Sequence, residues 1–168
     1  MKRVCIDPGH GMGSRESGRY DPGALSGRLL GNQSEADVVL MLGLTIKHVA
    51  ATEFRGRIEV VLTRDDRTDN RPVGSRDEFA IGQGCDCLIS LHCNSPWPGH
   101  GTETFIANEA TLESRKLAAI VQRAALAGFG LRDRGIKRER QTRHKKLAVL
   151  ASDHLIPSCL LEVGFITS

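Results

Sequence analysis

The chain has 168 residues, 40% of them hydrophobic and 26% charged, which suits one globular domain large enough to fold around a core without disulfide staples. Aromatic residues make up only 4% and the net charge is a mild +3, so a base-stacking surface has little to work with and no nucleic-acid partner is expected. No apolar run approaches the roughly 20 residues that a membrane-spanning helix needs, so no membrane insertion is expected either.

In chain order, Arg3 to Asp7 reads as a first strand and leads into a glycine-rich stretch from Gly9 to Gly31. A helix is expected from Ser34, which can cap it with Asp37 three residues on. It should run through the almost wholly apolar Val38 to Ala50 and be heavily buried. Ile58 to Thr63 is the second strand, Ser75 to Gly82 a short helix, and Cys87 to Cys93 and Thr102 to Ala107 two more strands. Glu113 to Gly128 is the clearest amphipathic helix, with Leu117, Ile120, Val121 and Ala124 along one face. Leu147 to Ala151 and Cys159 to Val163 read as the last strands. Strands alternating with helices predict an α/β domain with a largely parallel sheet. One domain over 1–168 is expected, with its C-terminal end cut short after a strand.

The five cysteines form no C-x-x-C pair and sit mostly inside apolar runs, which points to buried thiols and folding in a reducing compartment. Met1-Lys2-Arg3 runs straight into the first strand and leaves no room for a signal peptide. From Arg132 to Lys146 the chain carries eight Arg or Lys against Asp133 and Glu139. Such a run is either a solvated loop or a patch drawn to an anionic envelope.

Three polar segments close apolar strands: Asp7-Pro8-Gly9-His10-Gly11, Ser90-Leu91-His92-Cys93-Asn94 and Leu161-Glu162-Val163-Gly164. Ligands of open α/β sheets bind beyond the carboxyl ends of the strands, so these three can converge. Glu35 adds a carboxylate at a helix start. Two histidines and a glutamate around an open position make a catalytic zinc set, with a further carboxylate free to move protons. Each residue also has a plainer reading: a hydrogen-bonded histidine, or a glutamate favouring a helix N-terminus. Glu162 stands apart, because a carboxylate inside an apolar strand needs a partner or a task.

The order and context of these segments resemble the zinc-dependent N-acetylmuramoyl-L-alanine amidases of bacterial autolysins and phage endolysins. The matching stretches include Ile6-Asp7-Pro8-Gly9-His10-Gly11, Asp21-Pro22-Gly23-Ala24, Leu62-Thr63-Arg64 and Arg76. Ile89 to Asn94, Gly101-Thr102-Glu103, Arg134 to Lys137 and Leu161 to Ile166 follow in the family order. The resemblance implies a three-layer α/β/α sandwich around a twisted, mostly parallel mixed sheet. It places His10, Glu35 and His92 on the zinc ligands and Glu162 on the catalytic glutamate. It further implies a peptidoglycan substrate cut between N-acetylmuramic acid and L-alanine, by an enzyme acting on the cell wall; a monomer is expected. The absent leader and free cysteines favour synthesis in a host cytoplasm and release for lysis.

Two departures from the family pattern are the cysteines Cys85, Cys87 and Cys93 and a longer basic segment at Arg138 to Lys146. No segment between Asn94 and Arg115 is long enough for the inhibitory helix of regulated members. Asp7 or Ser90 is a candidate for orienting a ligand imidazole, or an ordinary strand-end cap. His100 and His144 are expected at the surface, and His48, within the first long helix, makes a local bond or lies at the surface. Three rival readings were open. A dinucleotide site fails on spacing, because Ser14 stands where G-x-G-x-x-G needs another residue pattern. A Cys93–His92 dyad fails because neighbours on a strand face opposite ways. Another wall-directed zinc peptidase, or a non-catalytic wall-binding module on the same fold, awaits a turnover assay.

Overall fold

A computed structural model describes residues 1–27, 31–95 and 98–167. Eight strands form: β1 (Lys2–Pro8), β2 (Gly11–Met12), β3 (Tyr20–Asp21), β4 (Ile58–Leu62), β5 (Cys87–Asn94), β6 (Thr102–Ile106), β7 (Asp133–Arg138) and β8 (Ser158–Phe165). Three α-helices accompany them: α1 (Glu35–Glu53), α2 (Arg76–Gly82) and α3 (Leu112–Phe129). Six strands make one sheet in the order β4-β1-β5-β8-β6-β7, while β2 and β3 pair separately. Only the β6–β8 pairing in the large sheet is antiparallel, so the sheet is mixed and mostly parallel, as expected.

Alternation along the strands separates the two faces. Ile6, Val60, Leu62, Leu91 and Leu161 meet α1 and α3 on one side. Cys5, Leu88, Phe105 and Leu160 face the other, where Ala80 of α2 joins Val149, Leu150 and Ile156. That second layer corrects one expectation. Leu147 to Ala151 is not a strand but a short 3-10 turn at Ala148–Leu150, which drives Val149 and Leu150 into the core. A five-residue apolar run has the same pattern in a buried turn as in a buried strand.

Both long helices are also turned differently from their sequence reading. Ser34 does cap α1, its hydroxyl accepting from the Asp37 N–H at 3.1 Å. Yet α1 buries a single stripe through Ala36, Val39, Leu40, Gly43 and Ala50, and leaves Met41 70% exposed. Only α1 and α3 lie on this face of the sheet, and an apolar trough of about 480 Å³ runs between them. On α3 the buried stripe is Ser114, Ala118, Gln122 and Ala125, and Ile120 is 56% exposed. Gln122 is what hides the stripe from a hydrophobic pattern: it bonds the Thr104 hydroxyl at 2.7 Å, the Thr102 carbonyl at 3.0 Å and Asp133 at 2.7 Å. The charged β7 at the sheet edge carried no strand signal, and charge is a common guard of such edges.

Beneath the carboxyl end of β1 lies a buried polar knot. Asp7 accepts from Arg76 at 2.9 Å, from Ser90 at 2.6 Å and from Thr63 at 2.5 Å. Burial opposes the charge on Asp7, but Arg76 and the two hydroxyls outweigh it and hold the carboxyl below its usual range. A depressed carboxyl stabilises the fold above its unfolded pKa of about 3.9, and that contribution drains away as pH falls through the folded value. Asp7→Asn is therefore expected to cost about 3–5 kcal/mol near neutrality. Urea unfolding at neutral pH and at about pH 3 should show a smaller loss on acidification in the variant than in the wild type. Equal losses in the two would rule out Asp7 as the group responsible.

Candidate active site

His10 follows β1, His92 lies on β5 and Glu162 on β8, three neighbouring parallel strands, so all three side chains reach the same end of the sheet. Glu35, the first residue of α1, reaches in from the helix layer. Its Oε1 lies 3.1 Å from His10 Nε2 and 3.0 Å from His92 Nδ1. The same oxygen accepts from the Cys93 N–H at 2.9 Å, and Oε2 accepts from the Ala24 N–H at 2.9 Å. Glu35 thus turns away from its own helix terminus and into the cluster. His10, Glu35 and His92 place their donor atoms within 4.8 Å of one another, a group that can hold a metal ion.

The backbone around the cluster is held in an unusual shape. His10 has φ +59, a left-handed conformation that a non-glycine residue keeps only when its surroundings determine it. Arg76 supplies part of that constraint by donating to the His10 carbonyl at 2.6 Å. Arg64, only 1% exposed, donates to the carbonyls of Pro8 and Gly9, each at 2.9 Å, and of Ala36 at 2.7 Å. It thereby fixes the His10 loop to the start of α1, where Glu35 sits. Gly23, at φ +65, has no room for a side chain: a Cβ there would lie 2.6 Å from Glu35 Oε2 and 2.7 Å from His10 Cδ2.

The residue that orients His10 is Asp21, whose Oδ2 lies 2.9 Å from His10 Nδ1. Neither Asp7 nor Ser90 takes that part, since they bond each other within the knot below. Asp21 arrives through the small β2–β3 pair, which aligns it with Gly11, the neighbour of His10. The sequence motif containing Asp21 was visible, but pairing across the glycine-rich stretch was not. Glu35, with its carboxyl driven well below the ordinary range, can only accept: burial resists the charge, and the hydrogen bonds from His10 and His92 overcome it. The two ring nitrogens of His10 thus face two carboxylates, Asp21 at Nδ1 and Glu35 at Nε2. Burial lowers its pKa, and these two carboxylates raise it further, so the net shift is upward.

Glu162 faces the same cavity, of about 220 Å³, with one oxygen shielded from solvent and without a hydrogen-bond partner among the described residues. Burial, with Glu35 and Glu103 nearby, raises its pKa well above the usual carboxylate value. Glu103 is paired with Glu162 across β6 and β8 and is itself bonded to Asn94 at 2.6 Å, to Arg134 at 2.9 Å and to Lys137. Cys93 packs into the opposite, apolar face with its thiol pushed up to about 12 by burial, which removes it as a nucleophile. His48 and His100 are exposed, as expected; His144 is exposed too, but it lines this cavity.

Residues 4–168 match the sequence profile of the family N-acetylmuramoyl-L-alanine amidase. The chain belongs to that family. Its fold superposes on the N-acetylmuramoyl-L-alanine amidase of Clostridium difficile 630 with a TM-score of 0.78 at 31% identity, covering 99% of this chain and 81% of that one. The catalytic domain of the amidase CwlV from Bacillus (Paenibacillus) polymyxa var. colistinus gives the same score at 28% identity, covering 99% and 82%. An uncharacterized cell wall amidase of Bacillus anthracis is 30% identical over 181 residues, spanning 98% of this chain. The amidase-family chain covers only 30% of that relative's length, and 29% of the amidase LytC of Bacillus subtilis, to which it is 27% identical. Among the described residues, no helix is long and apolar enough to cross a membrane.

Removing the Asp21 carboxylate takes away one of the two groups that raise the His10 pKa. In metal-free protein, an NMR titration of Asp21→Asn is expected to place the His10 transition at lower pH than in wild type. An unmoved transition would show that Asp21 does not govern this imidazole.

Proposed function

We propose that this chain hydrolyses the amide between N-acetylmuramic acid and the L-alanine of the peptidoglycan stem, with zinc held by His10, Glu35 and His92 and with Glu162 as the proton-transfer group. The observation that carries this reading is Glu162: a carboxylate with one shielded oxygen that has no hydrogen-bond partner among the described residues, facing three gathered metal-type donors. Two imidazoles and one carboxylate are a donor set that zinc takes in hydrolytic enzymes, where a further coordination position stays open. Zinc bound there would polarise the scissile carbonyl and bring the pKa of water down to about 7.

The protein's own groups do the rest. The two carboxylates beside His10 favour its protonated form, and a histidine must be neutral to act as a ligand, so metal binding should tighten as pH rises. Asp21 keeps the ring turned so that Nε2 faces the cluster. Glu162 takes a proton from the attacking water and delivers it to the alanine nitrogen, because an amine leaves poorly unless protonated. Its raised proton affinity suits the second half of that exchange.

Mass analysis of digested peptidoglycan tests the reaction: free peptides beginning with L-alanine and intact glycan strands are expected. Glu162→Gln should keep its zinc and lose about 10²–10⁴-fold in kcat. His92→Ala should lose both metal and turnover, read by metal analysis of the purified protein. A Glu162→Gln enzyme working at the wild-type rate would remove Glu162 from its role, and cleavage within the glycan or the peptide would replace the reaction itself.

A further inference from the structure

The cavity holding the His-Glu-His cluster and Glu162 has another wall, made by Thr142, His144 and Leu147. These belong to the basic run in which Arg138, Arg140, Arg143, Lys145 and Lys146 accompany the single acid Glu139. Glu139 neutralises none of the five cations. It is buried, and its two oxygens accept from the Asn108 N–H at 3.1 Å and the Leu147 N–H at 2.7 Å, clamping the far end of the run against the core. Asn108 in turn accepts from the Arg140 N–H at 3.0 Å and donates to the Lys145 carbonyl at 3.3 Å. Thr142 closes a turn by accepting from the Lys145 N–H at 3.2 Å, and Lys145 holds φ +62, in the left-handed region.

The segment is therefore a built wall and not a free loop. Among the described residues, none of its five cations enters an ion pair, and His144 stands exposed at the cavity. Unpaired cations on the segment that walls the cavity, though not themselves among its lining residues, attract an anion, and charge decides which half of the substrate that is. The N-acetylated sugar is neutral, whereas the stem peptide beyond L-alanine carries free carboxylates.

We propose that residues 139–147 form the subsite for the peptide side of the scissile bond, with His144 donating a hydrogen bond to a stem-peptide carboxylate and the neighbouring cations drawing that peptide in. This assignment rests on the amidase reading above and names the part of the substrate that the wall selects. His144 is a specificity residue here and takes no part in breaking the bond.

The test uses the full chain and two synthetic peptides, L-alanyl-γ-D-glutamyl-L-lysine amide and its isoglutamine counterpart, in which the glutamyl carboxylate is replaced by an amide. Fluorescence anisotropy of labelled peptides should show wild type binding the acidic peptide about tenfold more tightly, a preference that shrinks below about threefold in His144→Ala. The triple variant R143Q/K145Q/K146Q should bind the acidic peptide with a much weaker dependence on salt than wild type. With muramyl-peptide substrates, His144→Ala should raise KM while kcat stays within about twofold. Equal binding of the two peptides by wild type, or full preference retained in His144→Ala, overturns the subsite. Because peptide binding is read without turnover, a wild type that discriminates but does not cleave would sink the amidase reading alone. One that cleaves but does not discriminate would sink the subsite alone.

Discussion

Two buried arginines hold this active site in shape. Arg64 and Arg76, each 1% exposed, aim their guanidinium groups at the carbonyls of Pro8, Gly9 and His10, where β1 ends and the chain turns sharply. A carbonyl in that position would otherwise be buried without a donor, at a cost of about 1–3 kcal/mol each. The planar fork of arginine suits the task, since one side chain can satisfy several acceptors in fixed directions. Asp7 balances the Arg76 charge, and Ser90 and Thr63 complete the coordination of Asp7, so β1, β4 and β5 are locked at the level where the histidines emerge. The left-handed backbone of His10 is held in part by this clamp, through the Arg76 bond to its carbonyl.

Much of the fold was legible because the buried strands announce themselves. β1, β5 and β8 are short apolar runs closed by polar residues, and all three formed where expected, as did the cap at Ser34. The two helix readings failed for one cause, a polar residue buried or an apolar one left outside, whereas Leu147 to Ala151 failed because a buried turn and a buried strand share one apolar pattern. Gln122 lies on the buried face of α3 and Ile120 does not, because Gln122 finds three partners inside. The apolar length of α1 suggested burial all round, but one layer of two helices covers only one stripe of it. β7 was invisible because this edge strand carries charge rather than alternation, unlike β4 at the opposite edge.

At the site, the types and order of His10, Glu35, His92 and Glu162 could be read directly, and the fold does gather them. The supporting partners could not. Asp21 depends on pairing between β2 and β3, each two residues long, which no periodicity marks. The basic run read first as a solvated loop, and Glu139 holds it against the core by spending its carboxylate on two backbone N–H groups. Local sequence carries residue type, whereas such roles depend on contacts made across the fold.

The sheet order has one more effect. β8 comes last in the described chain but lies near the middle of the sheet, between β5 and β6, and it brings Glu162 with it. A ribosome-bound chain still lacking residues beyond about 157 has a gap at that place in the sheet and no Glu162 beside the His-Glu-His cluster, so the group of four is complete only once synthesis has passed this strand.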